Sequence, residues 1–284
     1  ALAFAVLDTP SWDALSPHRP LRHARLLEVS QPGATPLTAA ALRADERIVH
    51  FIKGLNDLDE RLSTLLTSVS DTPAAPLSPT QQAVAADLQR QIEAIGNGGP
   101  VVAMLLGADG HSKLEAARAV CAAQRRYLYS LPIESLPATP PEAEQLARLW
   151  QRECVLLPLA LYLDADELEG PQSEPARRMR SFLGRELGLV FVALREPASL
   201  RAAQALSIAI DKPTPAEQRG AWLQALQPDL AAAEAGLGAA RMASQYNLNL
   251  REIGQAMALA RGQSSEGLAE RAWKSARQAT LPRL

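Results

Sequence analysis

The stretch VVAMLLGADGHSKLEAARAV, residues 101–120, decides the fold. Its first part, from Pro100 to Leu106, is an unbroken apolar run that ends at Gly107, and a helix is expected over 113–125. An apolar run without polar alternation predicts a strand covered on both faces. Three more runs of this kind follow, at 155–163 ended by Asp164, at 187–194 ended by Arg195, and at 206–210. Buried strands separated by helical segments predict a parallel sheet with helices packed on it, hence an α/β domain.

Working outward, the chain after Pro213 reads as helix over 215–226, 229–243, 250–261 and 265–280. Upstream, 71–79 holds Pro73, Pro76 and Pro79 among small polar residues and reads as a linker. Ser78-Pro79 can open a helix with proline at its first position, carrying Val84, Leu88, Ile92 and Ile95. Further back, a helix over 38–53 is expected from the stripe Leu42, Ile48, Val49 and Ile52, with Gly54 as its stop. A second helix carries Leu58, Leu62, Leu65 and Leu66, with Asp57 at its start. Residues 1–35 are proline-rich and read as strands and loops, and no internal repeat is expected. The expected division is a small, mainly helical domain at 1–72, a linker at 73–79, an α/β domain at 80–213 and a helical domain at 214–284.

Composition sets limits. The chain has 284 residues, enough for more than one domain, and 47% are hydrophobic. Alanine and leucine dominate over aromatics, which favours helix. A formal net charge of -2 supplies no global field to hold nucleic acid. Cys121 and Cys154 sit in apolar runs and read as free thiols of a reducing compartment. No Cys/His spacing suits zinc. No run reaches the ~20 apolar residues of a membrane span, and 1–7 lacks the basic start of a signal peptide. The expected location is cytoplasmic. The chain starts without Met and stops at Leu284, which reads as a fragment of a longer protein.

The turn at 107–114 matches the phosphate-binding pattern G-x-x-x-x-G-K-[ST] in part. Gly107 and Lys113 are in register, Ser112 stands for the second glycine, and Leu114 for the hydroxyl residue. Serine narrows a cradle that glycine leaves open, and leucine cannot ligate magnesium. The expected vestigial nucleotide site is Gly107, Asp109, Gly110, His111, Ser112, Lys113 and Leu114. The plainer reading is a tight turn with a solvent-exposed lysine. The run at 155–163 resembles the strand that ends in Asp-Glu in such sites (Walker B). Asp164 takes the place of the metal-binding Asp and is the candidate magnesium ligand, whereas Ala165 replaces the base that would activate water. Asp166 and Glu167 read as solvated turn residues capping a following helix. Arg195 stands where a polar sensor is expected and could pair with Glu196 or with the acids at 164–167 as a structural lock.

Together the glycine turn, the Walker B-like strand, the Arg195 strand and the segment IDKPTPAEQRGAWLQAL resemble the AAA+ ATPase core and its helical lid. Within YNLNLREIGQAMALAR (246–261), Arg251 is the candidate second sensor. LRADERIVHFIKGLNDLDERL (42–62) is similar to the winged-helix-like domain of a group of bacterial AAA proteins. Those carry a degenerate first AAA module before an intact second one, and some relatives are associated with contractile injection systems. The resemblance implies an N-terminal part of an ATPase-like protein that scaffolds, oligomerises or regulates an active AAA module, without hydrolysis of its own. The alternative is a weak site for ATP or ADP, with Mg on Asp164. The third reading is DNA binding through 1–70, where Arg19, Arg22, His23 and Arg25 cluster. Asp45 and Glu46 weigh against a recognition helix there, so nucleic acid is not an expected partner. Arg201 is the one nearby arginine for a finger and is not expected to serve.

Overall fold

A computed structural model describes residues 11–96, 99–170, 172–198, 204–262 and 267–280. The N-terminal unit holds α1 (Pro20–His23), β1 (Leu27–Ser30), β2 (Ala41–Ala44), α2 (Glu46–Ile52) and α3 (Glu60–Ser63). The helix expected over 38–53 is therefore shorter. Residues 41–44 pair antiparallel with β1 instead, Leu42 opposite Val29, because cross-strand pairing overrides local propensity. Helix α2 starts only where the Asp45 side chain accepts the Arg47 N–H at 3.1 Å. The expected apolar stripe is not a core face: Val49 and Ile52 are 41% and 74% exposed, and Arg47 is the buried residue of α2. Asp59, not Asp57, caps α3, accepting the Arg61 N–H at 2.8 Å.

Arg47 is buried because it belongs to a charge cluster that reaches into the next domain. Its Nε donates to Glu153 at 3.0 Å. Arg152 pairs with Asp59, with Asp45 at 3.2 Å and with Glu153 at 3.2 Å. Arg61 joins Asp45 and Asp59 at 2.8 and 2.6 Å. Three arginines thus meet three carboxylates, and all but Arg61 are nearly sealed from solvent. Removal of six charges from water is tolerable because each finds a partner of opposite sign. The sequence carries this as twin Asp-Glu-Arg triplets at 45–47 and 59–61. In each, the Asp caps a helix and the Arg reaches across.

The central domain runs β3 (Thr67–Ser68), α4 (Pro79–Ile95), β4 (Val101–Leu106), α5 (Gly110–Ala123), β5 (Tyr127–Pro132), α6 (Pro140–Leu156), β6 (Leu159–Asp164), α7 (Glu174–Leu183), β7 (Leu189–Leu194) and β8 (Ala205–Ala209). The sheet order is β3-β5-β6-β7-β4-β8, parallel apart from the antiparallel edge strand β3. One face packs Trp150, Phe182 and Leu163, and the other packs Leu88, Val120 and Phe191. Two sequence expectations shift here. Val155 ends α6 and is 86% exposed, so the strand is only Leu159–Asp164. Strand β5 was not foreseen, because Tyr127–Pro132 interleaves polar and aromatic residues. No helix in the described residues is long and apolar enough to cross a membrane.

The C-terminal bundle comprises α8 (Pro215–Leu226), α9 (Ala232–Gln245), α10 (Leu250–Arg261) and α11 (Leu268–Thr280). Among the described residues, three helices start on full capping boxes: Ser78 with Gln81, Thr214 with Glu217, and Asn249 with Glu252. Trp222, Met242, Ile253 and Met257 fill the bundle core. Both cysteines are free. Cys121 is buried and Cys154 partly so, and burial pushes each thiol up to about 12.

Candidate functional site

Strand β4 lies between β7 and β8, where strand order reverses, and the turn after it opens at the C-terminal edge of the sheet. That is where open parallel sheets place ligands. Gly107 makes the turn with φ +140, and a Cβ there would collide with the Ile210 carbonyl. Helix α5 begins at once, with Asp109 as its N-cap residue.

Lys113 is 0% exposed. Its ammonium donates to the Gly107 carbonyl at 2.7 Å, to the Leu194 carbonyl at 3.0 Å and to the Asp166 carboxylate. An ammonium has three donors, and all are used within the chain. This corrects two expectations: the lysine is not solvent-exposed, and Asp166 is not a solvated cap. Helix α7 starts ten residues after Asp164 and is capped by Ser173, so the acids at 164–167 cap nothing there. Instead, Asp164 accepts the Asp166 N–H at 3.3 Å, and Ala165 donates its N–H to Ala193 at 3.1 Å while its side chain enters the core. Asp166 is thereby turned back toward the glycine turn. Burial raises its carboxyl above the ordinary value, outweighing the pull of Lys113.

Ser112 is also occupied. Its hydroxyl donates to Asp109 and accepts from Gln81 Nε2 at 2.8 Å, which also donates to the Asp211 carbonyl at 2.8 Å. The other Asp109 oxygen accepts Asn249 Nδ2 at 2.9 Å. A polar chain thus runs from α4 through the turn to the cap of α10. Arg251 Nη1 lies 3.4 Å from His111 Nδ1, and burial lowers the His111 pKa. The structure therefore brings Gly107, Asp109, Gly110, His111, Ser112, Lys113, Asp166 and Arg251 together. Arg195 is exposed and makes no ion pair among the described residues, so the lock is made by Lys113 with Asp166 instead. Arg201 lies outside the described residues. Gln81 and Asn249 were missed as site residues, although each is legible as a member of a capping box.

A cavity of about 610 Å³ remains between the turn and the bundle, lined by Ala108, Asp109, Asp211, Lys212, Thr214 and Asn247. The side chains beside it are engaged within the chain. Lys113 has no free donor, Leu114 packs on the core at the hydroxyl position, and Ala165 is buried where the base would stand. No cluster of three metal-binding side chains occurs among the described residues.

Comparison with solved structures places this sheet, turn and bundle. The structure titled "Crystal structure of FIGL-1 AAA domain" superposes with a TM-score of 0.51 at 17% identity, covering 83% of this chain and 92% of that one. The chain has the AAA+ fold. A second structure, "Crystal structure of FIGL-1 AAA domain in complex with ADP", gives a TM-score of 0.48 at 18% identity over 80% of this chain and 93% of that one. Ahead of and behind the AAA+ core, two family profiles match. Residues 13–66 match "Winged helix domain, variant", and residues 214–282 match "Contractile injection system ATPase helical domain". No curated protein matches the chain. The winged-helix and AAA+ expectations hold, and the bundle of the AAA+ module has a named counterpart.

Proposed function

We propose that this AAA+ module is a degenerate one, kept for its shape and contacts, that scaffolds or regulates an active AAA module or copies of itself. The observation that carries the reading is Lys113, whose three donors are spent on Gly107, Leu194 and Asp166. The lysine of a working phosphate loop must offer a donor to the nucleotide. The match of 214–282 to a contractile injection system ATPase domain supports a protein assembly of that kind as the setting. DNA binding gains no support: α2 exposes Glu46, Val49 and Ile52, Arg19 pairs with Asp13, and Arg22 bonds the Leu15 carbonyl.

The test is calorimetry with ATP and ADP, each with and without magnesium, beside thermal unfolding. No binding heat and no shift in Tm are expected, since a ligand of the folded state must raise Tm. Magnesium-dependent binding in the micromolar range would overturn the reading in favour of the weak ATP or ADP site.

A further inference from the structure

A buried ammonium and the start of a helix both call for negative charge. In this AAA+ module one side chain, Asp166, lies against both. We infer that the Asp166 carboxylate is a resident anion, seated where Lys113 and the first turn of α5 would hold a phosphate group, and that it closes the turn to external anions. The inference rests on the reading above and names the device behind it.

Three observations converge. Lys113 is fully enclosed and pairs with Asp166, itself 15% exposed. A Cβ built on Gly110 would collide with Asp166 Oδ2, so the carboxylate lies directly against the first residue of α5. The approach is set from the strand side, where the Ala165 N–H bonds the Ala193 carbonyl and Asp164 accepts the Asp166 N–H. The anion is thus delivered by the residue after the lost base position, and the vacancy at Ala165 and the filling at 166 belong to one turn.

Removal of Asp166 leaves Lys113 buried without a counter-charge. A small oxyanion from solution should then enter, as phosphate does at helix starts. The experiment is thermal unfolding of the full chain and of Asp166→Ala in chloride, inorganic phosphate or pyrophosphate at matched ionic strength. The parent chain should show no specific response. Asp166→Ala should melt lower in chloride and be raised by several degrees, saturably, by phosphate or pyrophosphate. Lys113→Met combined with Asp166→Ala should lose that response, and Asp164→Ala should never gain it. If Asp166→Ala shows no cooperative transition in chloride, phosphate should restore one; failure to restore it counts against the inference. Asp166→Asn, which keeps the shape but not the charge, should melt lower than the parent chain while its amide still fills the seat, and so respond less than Asp166→Ala. A folded Asp166→Ala that ignores both anions overturns the inference. That result leaves the non-nucleotide role standing, whereas ATP binding by the parent chain would end that role.

Discussion

Asn249 and Asp109 stand 140 residues apart and meet at 2.9 Å, side chain to side chain. The same Asn249 accepts the Glu252 N–H at 2.8 Å, so one residue both caps α10 and latches the bundle to the glycine turn. The two roles separate by substitution. Asn249→Ser keeps a capping oxygen but cannot reach Asp109, and should cost about 1 kcal/mol, the worth of a typical hydrogen bond. Asn249→Ala should lose about 1 kcal/mol more, since the cap goes too. Urea unfolding measures both. Equal losses would mean that the cap contributes nothing.

The charge cluster between the winged-helix unit and α6 should be costly to break from one side. Arg152→Met removes the arginine that Asp45, Asp59 and Glu153 all share, and should destabilise by about 3–5 kcal/mol. Arg61, at 36% side-chain exposure, shares the same acids but keeps contact with water. Arg61→Met should cost less, about 1–2 kcal/mol, because its two acids are buried but keep Arg152. Limited proteolysis between α2 and α3 should accelerate more in the first variant than in the second.

The two glycines of the turn should differ. Gly107→Ala meets backbone, the Ile210 carbonyl, at a φ that side chains seldom adopt. A loss of about 1–3 kcal/mol is expected. Gly110→Ala meets no backbone, only the end of the Asp166 side chain, which must shift within its pairing with Lys113. It should cost less in thermal unfolding. A larger loss at 110 than at 107 would contradict the account.

Acid should act on two named carboxylates. Burial would raise Asp59, but bonds from Arg61 and the nearby Arg152 charge outweigh it and hold the group at about 2 against an ordinary 3.8. Burial also opposes ionisation of Glu217, and bonds from Thr80 and Thr214 likewise hold it at about 2 against 4.5. A lowered folded-state value gives stability that is whole above the ordinary value and is lost as pH falls through the folded one. Tm should therefore fall between pH about 4.5 and 2. Asp59→Asn should flatten part of that slope. An unchanged slope would place the acid sensitivity elsewhere.

The buried strands β4 and β7 were legible because continuous apolar runs leave little alternative. The same pattern located β8, although it is an edge strand with alternate residues exposed. Helices α8 and α10 were legible because proline and capping residues mark their starts. The departures from the phosphate-loop pattern at 112 and 114, and from the Walker B pattern at 165, were legible as substitutions. What occupies those places was not. The partnership of Lys113 with Asp166 spans 53 residues and depends on a turn bent by one backbone bond, Ala165 to Ala193, and one from the Asp166 N–H to the Asp164 carboxylate. The Asp-Glu-Arg triplets were in plain view, but their meaning lies in Arg152 and Glu153, two adjacent charges inside an otherwise ordinary helix.

Strand β3 is only two residues long, yet it forms the edge of the central sheet, with Thr67 and Ser68 opposite Ser130 and Tyr129. A cut at residue 72, where sequence alone puts the end of the first domain, would carry that edge away with the wrong fragment. The remaining piece would expose the bare backbone of β5, an open template on which a second molecule can add a strand. Anyone dissecting this chain should expect a core cut at 72 to self-associate through that seam, and should keep Thr67 and Ser68 on the core side of any cut.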